Sequence, residues 1–200
     1  EILNDFDEVI VATGANFEAR NFGSGVPVIA ADAAIKELAN KKSEIKEEIV
    51  IVDDQGTWIA ASIAEQLASN GYRIHVVSPT ASLFSQITTY SKLALIPRLK
   101  SLGVLMYLAS DITVEGKNCV ITNTLNGEKT EISQTSMVID CGPRLANDVL
   151  YQQAPLAQSG RIHVIGDALS PRTVAEATFE GHAIGAFLDL DLAVSTLGGD

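Results

Sequence analysis

The most regular feature of the chain is a series of short, continuously apolar runs, each closed by Gly, Pro or a polar pair. Val9-Ile10-Val11-Ala12-Thr13-Gly14, Ile49-Val50-Ile51-Val52-Asp53 and Arg73-Ile74-His75-Val76-Val77-Ser78 are rich in β-branched residues. They show no in/out alternation, which is the pattern of strands covered on both faces of a parallel sheet. Between the second and third runs, Ile59, Ile63 and Leu67 recur at helical spacing beside a strip of Ala60, Ala64 and Ala68. Asn70-Gly71 then supplies a left-handed stop. Strand, helix and strand in that order predict a right-handed parallel crossover. A loop at Asn21 to Pro27 precedes a helix or helical linker predicted over Ala31 to Lys46, and a second helix is predicted from Ser91 to Leu102, kinked or restarted at Pro97. Val104 to Leu108 reads as the next strand.

After residue 110 the pattern changes. Asp111–Glu115, Asn118–Asn123 and Lys129–Ser133 are short segments separated by Gly116-Lys117 and Asn126-Gly127. They predict an antiparallel meander, with Asn-Gly signalling a two-residue hairpin. Met137–Cys141 and Arg161–Ile165 return as strands, and Thr173 to Leu188 is the last helix. Tyr151 to Gly160 reads as a loop or a poorly formed helix, and the tail through Gly198-Gly199-Asp200 as a frayed end. The fold class expected is therefore α/β: a Rossmann-like parallel sheet with crossover helices and an inserted three-stranded antiparallel meander, as in the pyridine-nucleotide domains of disulfide-oxidoreductase-like flavoproteins.

Composition narrows the function. With 46% apolar residues in 200, the chain can bury a sizeable core, and no run is long enough to span a membrane. Fourteen basic against 25 acidic residues give a net charge of −11, which repels phosphate backbones and disfavours nucleic acid as a partner. Cys119 and Cys141 lie far apart with no CxxC, so a disulfide framework, a Cys-rich metal site and a redox pair are not expected. They read as inert, half-buried thiols in a cytoplasmic setting. His75, His163 and His182 lack metal spacing and read as structural, and Trp58 and Tyr90 as packing anchors. No Ser/His/Asp order or carboxylate pair supports hydrolysis, so no catalytic and no metal residue is nominated. The opening at Glu1, running straight into a strand, reads as the interior of a longer polypeptide.

Two motifs stand around the insert: Val9–Gly14 followed by Ala15, and Ile165-Gly166-Asp167. With Gly166-Asp167-Ala168-Leu169-Ser170-Pro171-Arg172 and Glu176-Ala177-Thr178-Phe179-Glu180-Gly181-His182, the chain resembles the carboxy-terminal region of the trimethylamine dehydrogenase and 2,4-dienoyl-CoA reductase family. These are old yellow enzyme-like NADH:flavin oxidoreductases. Ala64-Glu65-Gln66-Leu67-Ala68, Val76-Val77-Ser78-Pro79 and Pro97-Arg98-Leu99 extend the resemblance along nearly the whole chain, on the amine-dehydrogenase side. It implies a partial outer FAD/ADP-type domain at 1–46, an inserted NAD(P)-type domain at 47–145, and a return to the outer domain at 146–200. In the intact parent, FAD or ADP would be held near Thr13, Gly14, Gly166, Asp167, Arg172 and Thr173. FMN and a 4Fe-4S cluster would belong to an N-terminal part outside these residues. The implied partners are the remaining domains of the parent chain and an electron-transfer protein, with self-association of the fragment through exposed half-domain surface. The fragment alone is expected to bind no cofactor and to show no turnover.

Against the resemblance stands the turn Asp53-Asp54-Gln55-Gly56-Thr57-Trp58. A dinucleotide fold needs glycine at the positions held here by Asp53, Gln55 and Trp58, for a tight turn and close approach of pyrophosphate. The second strand ends in Ser78-Pro79, without an acid for a ribose hydroxyl. The insert is thus expected to keep the nucleotide-binding shape without ordinary NAD(P)H binding. Against this stands residual phosphate acceptance by Gly56 and the helix N-terminus. The alternative functions are an NAD(P)H-dependent enoyl reductase-type domain, with binding supplied by other residues, and a non-catalytic interaction module.

Overall fold

A computed structural model describes residues 6–38, 40–44, 47–154 and 160–197. The chain divides into two compact units, one of Phe17–Pro143 and one of Glu1–Asn16 with Arg144–Asp200.

The Phe17–Pro143 unit is built on a five-stranded, all-parallel sheet. Its strands are β4 (Val28–Ala30), β5 (Glu48–Asp53), β6 (Arg73–Val77), β7 (Leu105–Tyr107) and β11 (Thr135–Cys141), in the order β4-β11-β5-β6-β7. The unbroken apolar runs are explained by the two clusters they feed. Ile49, Ile51, Ile74, Val76 and Ile139 enter the core shared with the helices, while Val50, Val52, Val77 and Val138 enter a second core. That second core is closed by Ile112, Val114, Cys119, Ile121 and Ile132 of the meander. Covered on both faces, these strands have no solvent side to be polar on.

On the helical face lie α1 (Ala31–Leu38), α2 (Trp58–Ser69) and α3 (Thr89–Ser101). Thr57 caps α2, accepting the Ile59 N–H. Ala60, Ala61 and Ala64 are wholly buried, so the alanine strip lets α2 lie close against the sheet. Gly71 ends the element at φ +92°, donating to Ala68, while Tyr72 donates to Leu67. Pro97 lies inside α3 rather than restarting it. The helix after residue 31 stops at Leu38, shorter than the Ala31 to Lys46 stretch expected, and residues 39, 45 and 46 of that stretch lie outside the described residues. Residues 28–38 belong to the same layer as residues 48–141, through β4 and α1.

The meander is β8 (Ser110–Glu115), β9 (Asn118–Asn123) and β10 (Lys129–Ile132), with the two-residue β3 (Gly23–Ser24) parallel to β8 at its edge. The expected two-residue hairpin at Asn126-Gly127 is instead a wider loop closed by Asn123 and Glu128. Asn123 Oδ1 accepts the N–H groups of Leu125 and Asn126, so a side-chain turn outcompetes the tight main-chain one.

In the other unit, β1 (Val9–Val11) pairs in parallel with β13 (Ile162–Val164). β2 (Ala15–Phe17) and β12 (Arg144–Ala146) make a second two-stranded sheet. The short helix α4 (Val149–Gln152) runs into the stretch expected as loop or poorly formed helix, of which 155–159 lie outside the described residues. The last helix, α5 (Val174–Leu197), runs further than Leu188, and the expected frayed tail at 198–200 lies outside the described residues.

Candidate functional site

The crevice at the carboxyl ends of parallel strands is where a dinucleotide fold binds its ligand. In the Phe17–Pro143 unit the β5–α2 turn at that end is occupied by the protein's own residues. Asp53, the last residue of β5, is buried. Its Oδ1 accepts the Gly56 N–H at 3.0 Å and its Oδ2 the Phe84 N–H at 3.0 Å. Burial pushes the Asp53 carboxyl above the ordinary range, and the two amides pull against it. The segment after β6 lies on the turn, with the Gln86 N–H donating to the Gly56 carbonyl at 2.9 Å. A Cβ on Gly56, whose φ is +65°, would stand 2.2 Å from Ser85 Oγ and 2.7 Å from Ser85 N. Space that a pyrophosphate would need is filled by peptide.

Two details differ from the sequence expectation. Asp53 does not face an incoming phosphate; it is turned inward on main-chain amides. Trp58 does not fill the turn either. It is 50% exposed and Tyr90 is 87% exposed, so neither is a packing anchor, and fully buried Phe84 takes that part.

Beside this turn sits a charged knot that the sequence did not reveal. Arg20 Nε donates to Asp140 Oδ2 at 2.9 Å and its NH2 to Asp140 Oδ1 at 2.7 Å, while the Arg20 main-chain N–H also donates to Oδ2. The remaining guanidinium nitrogen reaches Asp54 at 3.2 Å. Arg20 also lies over the Phe22 ring, and the Asp140 contacts raise its pKa. Arg20, Asp54 and Phe22, with Val52, Val77 and Ile112, line a cavity of about 260 Å³. Arg20 is already engaged by two carboxylates, so this cavity presents no free cation for a phosphate.

In the other unit, the register Val9↔Ile162 to Val11↔Val164 brings the ends of β1 and β13 side by side. Thr13-Gly14 and Gly166-Asp167 are thereby placed at one end of the strand pair, as the sequence grouping requires. Gly14 has φ +78° with open space around its α-carbon, and the Thr13 hydroxyl donates to the Asn147 carbonyl. Gly166, at φ +62°, donates its N–H to Glu180 Oε2 at 2.6 Å. Asp167 accepts the Arg172 N–H at 2.9 Å and is paired with Arg144; Arg172 is paired in turn with Glu180. The Thr173 hydroxyl donates to Glu176. Gly166 and Arg172 hold the Glu180 carboxyl below its usual range, and Thr173 does the same for Glu176. The sequence reading missed Arg144, Glu176 and Glu180; the last two lie within the motif it quoted. Each Asp167 oxygen has a further lone pair that could accept from a ribose or ribityl hydroxyl, and nothing lies within 4 Å of a Cβ built on Gly14, so these residues fit the hydroxyl-bearing part of a dinucleotide. They offer no unpaired cation to its phosphates.

His75, His163 and the two cysteines take structural places. His75 Nε2 contacts Glu48 at 2.7 Å and Nδ1 contacts the Tyr107 hydroxyl at 3.2 Å, and His163 contacts Glu8 at 2.9 Å. His182 is exposed. Cys119 and Cys141 are fully rather than half buried, and burial pushes the Cys119 thiol up to about 11 and Cys141 higher still. Neither thiol is expected to react with an aromatic disulfide reagent at mildly alkaline pH until urea unfolds the chain. Labelling of either one in the native protein would contradict this burial. Among the described residues no group of three or more His, Cys, Asp or Glu could hold a metal ion, and no helix is long and apolar enough to cross a membrane.

No protein-family model matches the chain. Its fold is similar to that of histamine dehydrogenase from Rhizobium sp. 4-9, with a TM-score of 0.76 at 23% identity over 92% of this chain and 31% of that one. It is similar also to 6-hydroxypseudooxynicotine amine oxidase from Pseudomonas geniculata N1, at TM-score 0.76 and 21% identity over 90% and 28% of the two chains. A 2-naphthoyl-CoA reductase follows at TM-score 0.71 and 18% identity, over 90% and 26%. The chain spans less than a third of the length of each. The Rossmann-like α/β fold with its inserted meander is shared with these three chains.

Proposed function

We propose that the chain is the nucleotide-domain region of a flavin-dependent oxidoreductase similar to the amine dehydrogenases, acting as a scaffold rather than as a site of chemistry. The observation that carries this reading is the filled β5–α2 turn: a layer shaped for a pyridine nucleotide has Ser85 against Gly56, where a nicotinamide cofactor's phosphates would lie. A reductase drawing hydride from NAD(P)H needs that seat open, whereas an enzyme taking electrons from its own substrate does not. Support for the amine side comes from the motifs around Gly166, while the fold likeness over nine-tenths of the chain is shared by the amine enzymes and the CoA reductase alike.

In the complete protein, Thr13, Gly14, Gly166 and Asp167 would hold the sugar part of an FAD or ADP, while Arg172 and Thr173 position Asp167 and the start of α5. FMN, a 4Fe-4S cluster and the amine site would lie in the remaining domains, with an electron-transfer protein as the external acceptor. The cofactor supplies the redox chemistry, and this chain contributes hydrogen-bond acceptors and the docking scaffold.

The test is a pair of titrations. The 200-residue chain should be colourless and show no saturable binding of NADH or NADPH. The complete protein should carry flavin absorbance. There, Asp167→Ala should weaken FAD or ADP binding about tenfold, the worth of a charge-assisted hydrogen bond. Micromolar NADH affinity of the chain, or unchanged dinucleotide binding in the Asp167 variant, would refute it.

A further inference from the structure

We propose that residues 79–88 are a permanent internal occupant of the dinucleotide seat, held there by Asp53, whose two carboxyl oxygens take main-chain N–H groups much as a phosphate would. This goes beyond the scaffold reading while resting on its assignment of residues 17–143 to a dinucleotide-type layer.

A working seat leaves main-chain N–H groups of the strand–helix turn pointing into the crevice for the ligand's oxygens. Here the N–H of Gly56, the glycine of that turn, is taken by Asp53 Oδ1, and Asp53 Oδ2 reaches across to the Phe84 N–H. Asp53 is therefore bonded to the turn on one side and to the occupant on the other. The Gln86 N–H closes a third link onto the Gly56 carbonyl. Turn and segment are thus joined by hydrogen bonds through Asp53 and Gln86, and the cavity of about 260 Å³ that remains beside them is lined by Pro79 of the same segment.

The same segment is anchored from below by apolar burial. Leu83, Phe84 and Ile87 belong to the core cluster shared by α2 and α3. A folded turn presents all three, with the Ile87 N–H donating to the Phe84 carbonyl at 2.9 Å. Phe84 adopts φ +51°, a left-handed conformation that bulky residues rarely take. Its ring is wholly buried and its N–H is bonded to Asp53, which over-determines the conformation. At its start, the Ala109 N–H donates to the Thr80 carbonyl and ties the segment to the entrance of β8. A lid rests on polar, solvent-exposed contacts and opens cheaply. Opening this segment would strip three apolar residues from the main core, so it behaves as a plug.

Amide hydrogen exchange on the 200-residue chain, with and without NADH, tests the proposal. In the wild-type chain the Gly56 and Phe84 amides should be protected to the level of Ile49–Val52 in β5; exchange at the rate of an ordinary surface loop would overturn it. In Asp53→Asn an NH₂ replaces one acceptor oxygen, so Gly56 or Phe84 should exchange at least about tenfold faster while β5 is unchanged. Equal protection in that variant would remove Asp53 from its anchoring role and overturn the proposal. Adding NADH to about 1 mM, a concentration that detects even weak binding, should leave strap protection unchanged. Saturable binding with loss of strap protection would identify a lid and overturn the plug. Saturable binding with the strap still protected would keep the plug and overturn the scaffold reading instead.

Discussion

Arg20→Ala lowers the unfolding free energy by about 3 kcal/mol, the low end of the cost of stranding a buried charge. The reason lies in the asymmetry of the pair. The Asp140 side chain is 0% exposed, whereas Arg20 is 40% exposed and can rehydrate. Removing the guanidinium leaves a carboxylate at the end of β11 with only the Arg20 main-chain N–H. The solvent-facing contact to Asp54 adds little, because exposed ion pairs are worth well under about 1 kcal/mol. Removing both charges tests the assignment. Arg20→Met combined with Asp140→Leu should recover most of the loss, since an apolar pair of similar volume is often as stable as a buried ion pair. Urea unfolding of the two variants measures this. If Arg20→Ala lies within about 0.5 kcal/mol of wild type, as a surface change would, the pair does not hold the crevice together.

Gly25→Ala carries a larger expected cost, about 4 kcal/mol, and a fall in thermal midpoint of about 10 °C for a chain this size. Gly25 sits at φ +111°, and a Cβ there would lie 2.0 Å from the Gly116 carbonyl oxygen and 2.7 Å from its α-carbon. Both obstacles are backbone, so no rotamer relieves the clash. Gly116 is the turn between β8 and β9, and the neighbouring Val26 is buried in the core that the meander closes. The substitution therefore forces the hairpin away from the sheet and exposes that core. Gly103→Ala is the comparison, because Gly103 has φ +81° but nothing within 4 Å of its added methyl. It should cost only the left-handed strain, about 1 kcal/mol. Equal losses in the two variants would mean that strain, not steric contact, dominates at Gly25.

Much of the candidate site was legible in the order of residues along the chain. Thr13-Gly14 and Gly166-Asp167 were grouped by the family resemblance of the two motifs around the insert, and the parallel register of β1 and β13 brings the ends of those strands side by side. The loss of glycines at Asp53, Gln55 and Trp58 was equally visible. What replaced them was not. Phe84 lies in residues 79–88, where the pattern predicts no element, and only its burial against α2 and α3 gives it a role. Trp58, the larger aromatic and next to the turn, is half exposed instead. Glu180 and Glu176 stood inside a quoted motif, yet nothing local distinguishes a carboxylate that accepts the Gly166 N–H from one in water.

By itself, then, the sequence determined the long buried strands, the three meander strands and the helix that follows β5, because burial and left-handed backbone leave signatures within a few residues. The two- and three-residue strands β2, β3, β4 and β12 carry no such signature. Tertiary structure alone decided who occupies the crevice. The partners there, Asp53 with Phe84 and Arg20 with Asp140, stand 31 and 120 positions apart. A buried carboxyl group satisfies itself with whatever donor the packed layers bring within about 3 Å, and that choice is made in space rather than along the chain.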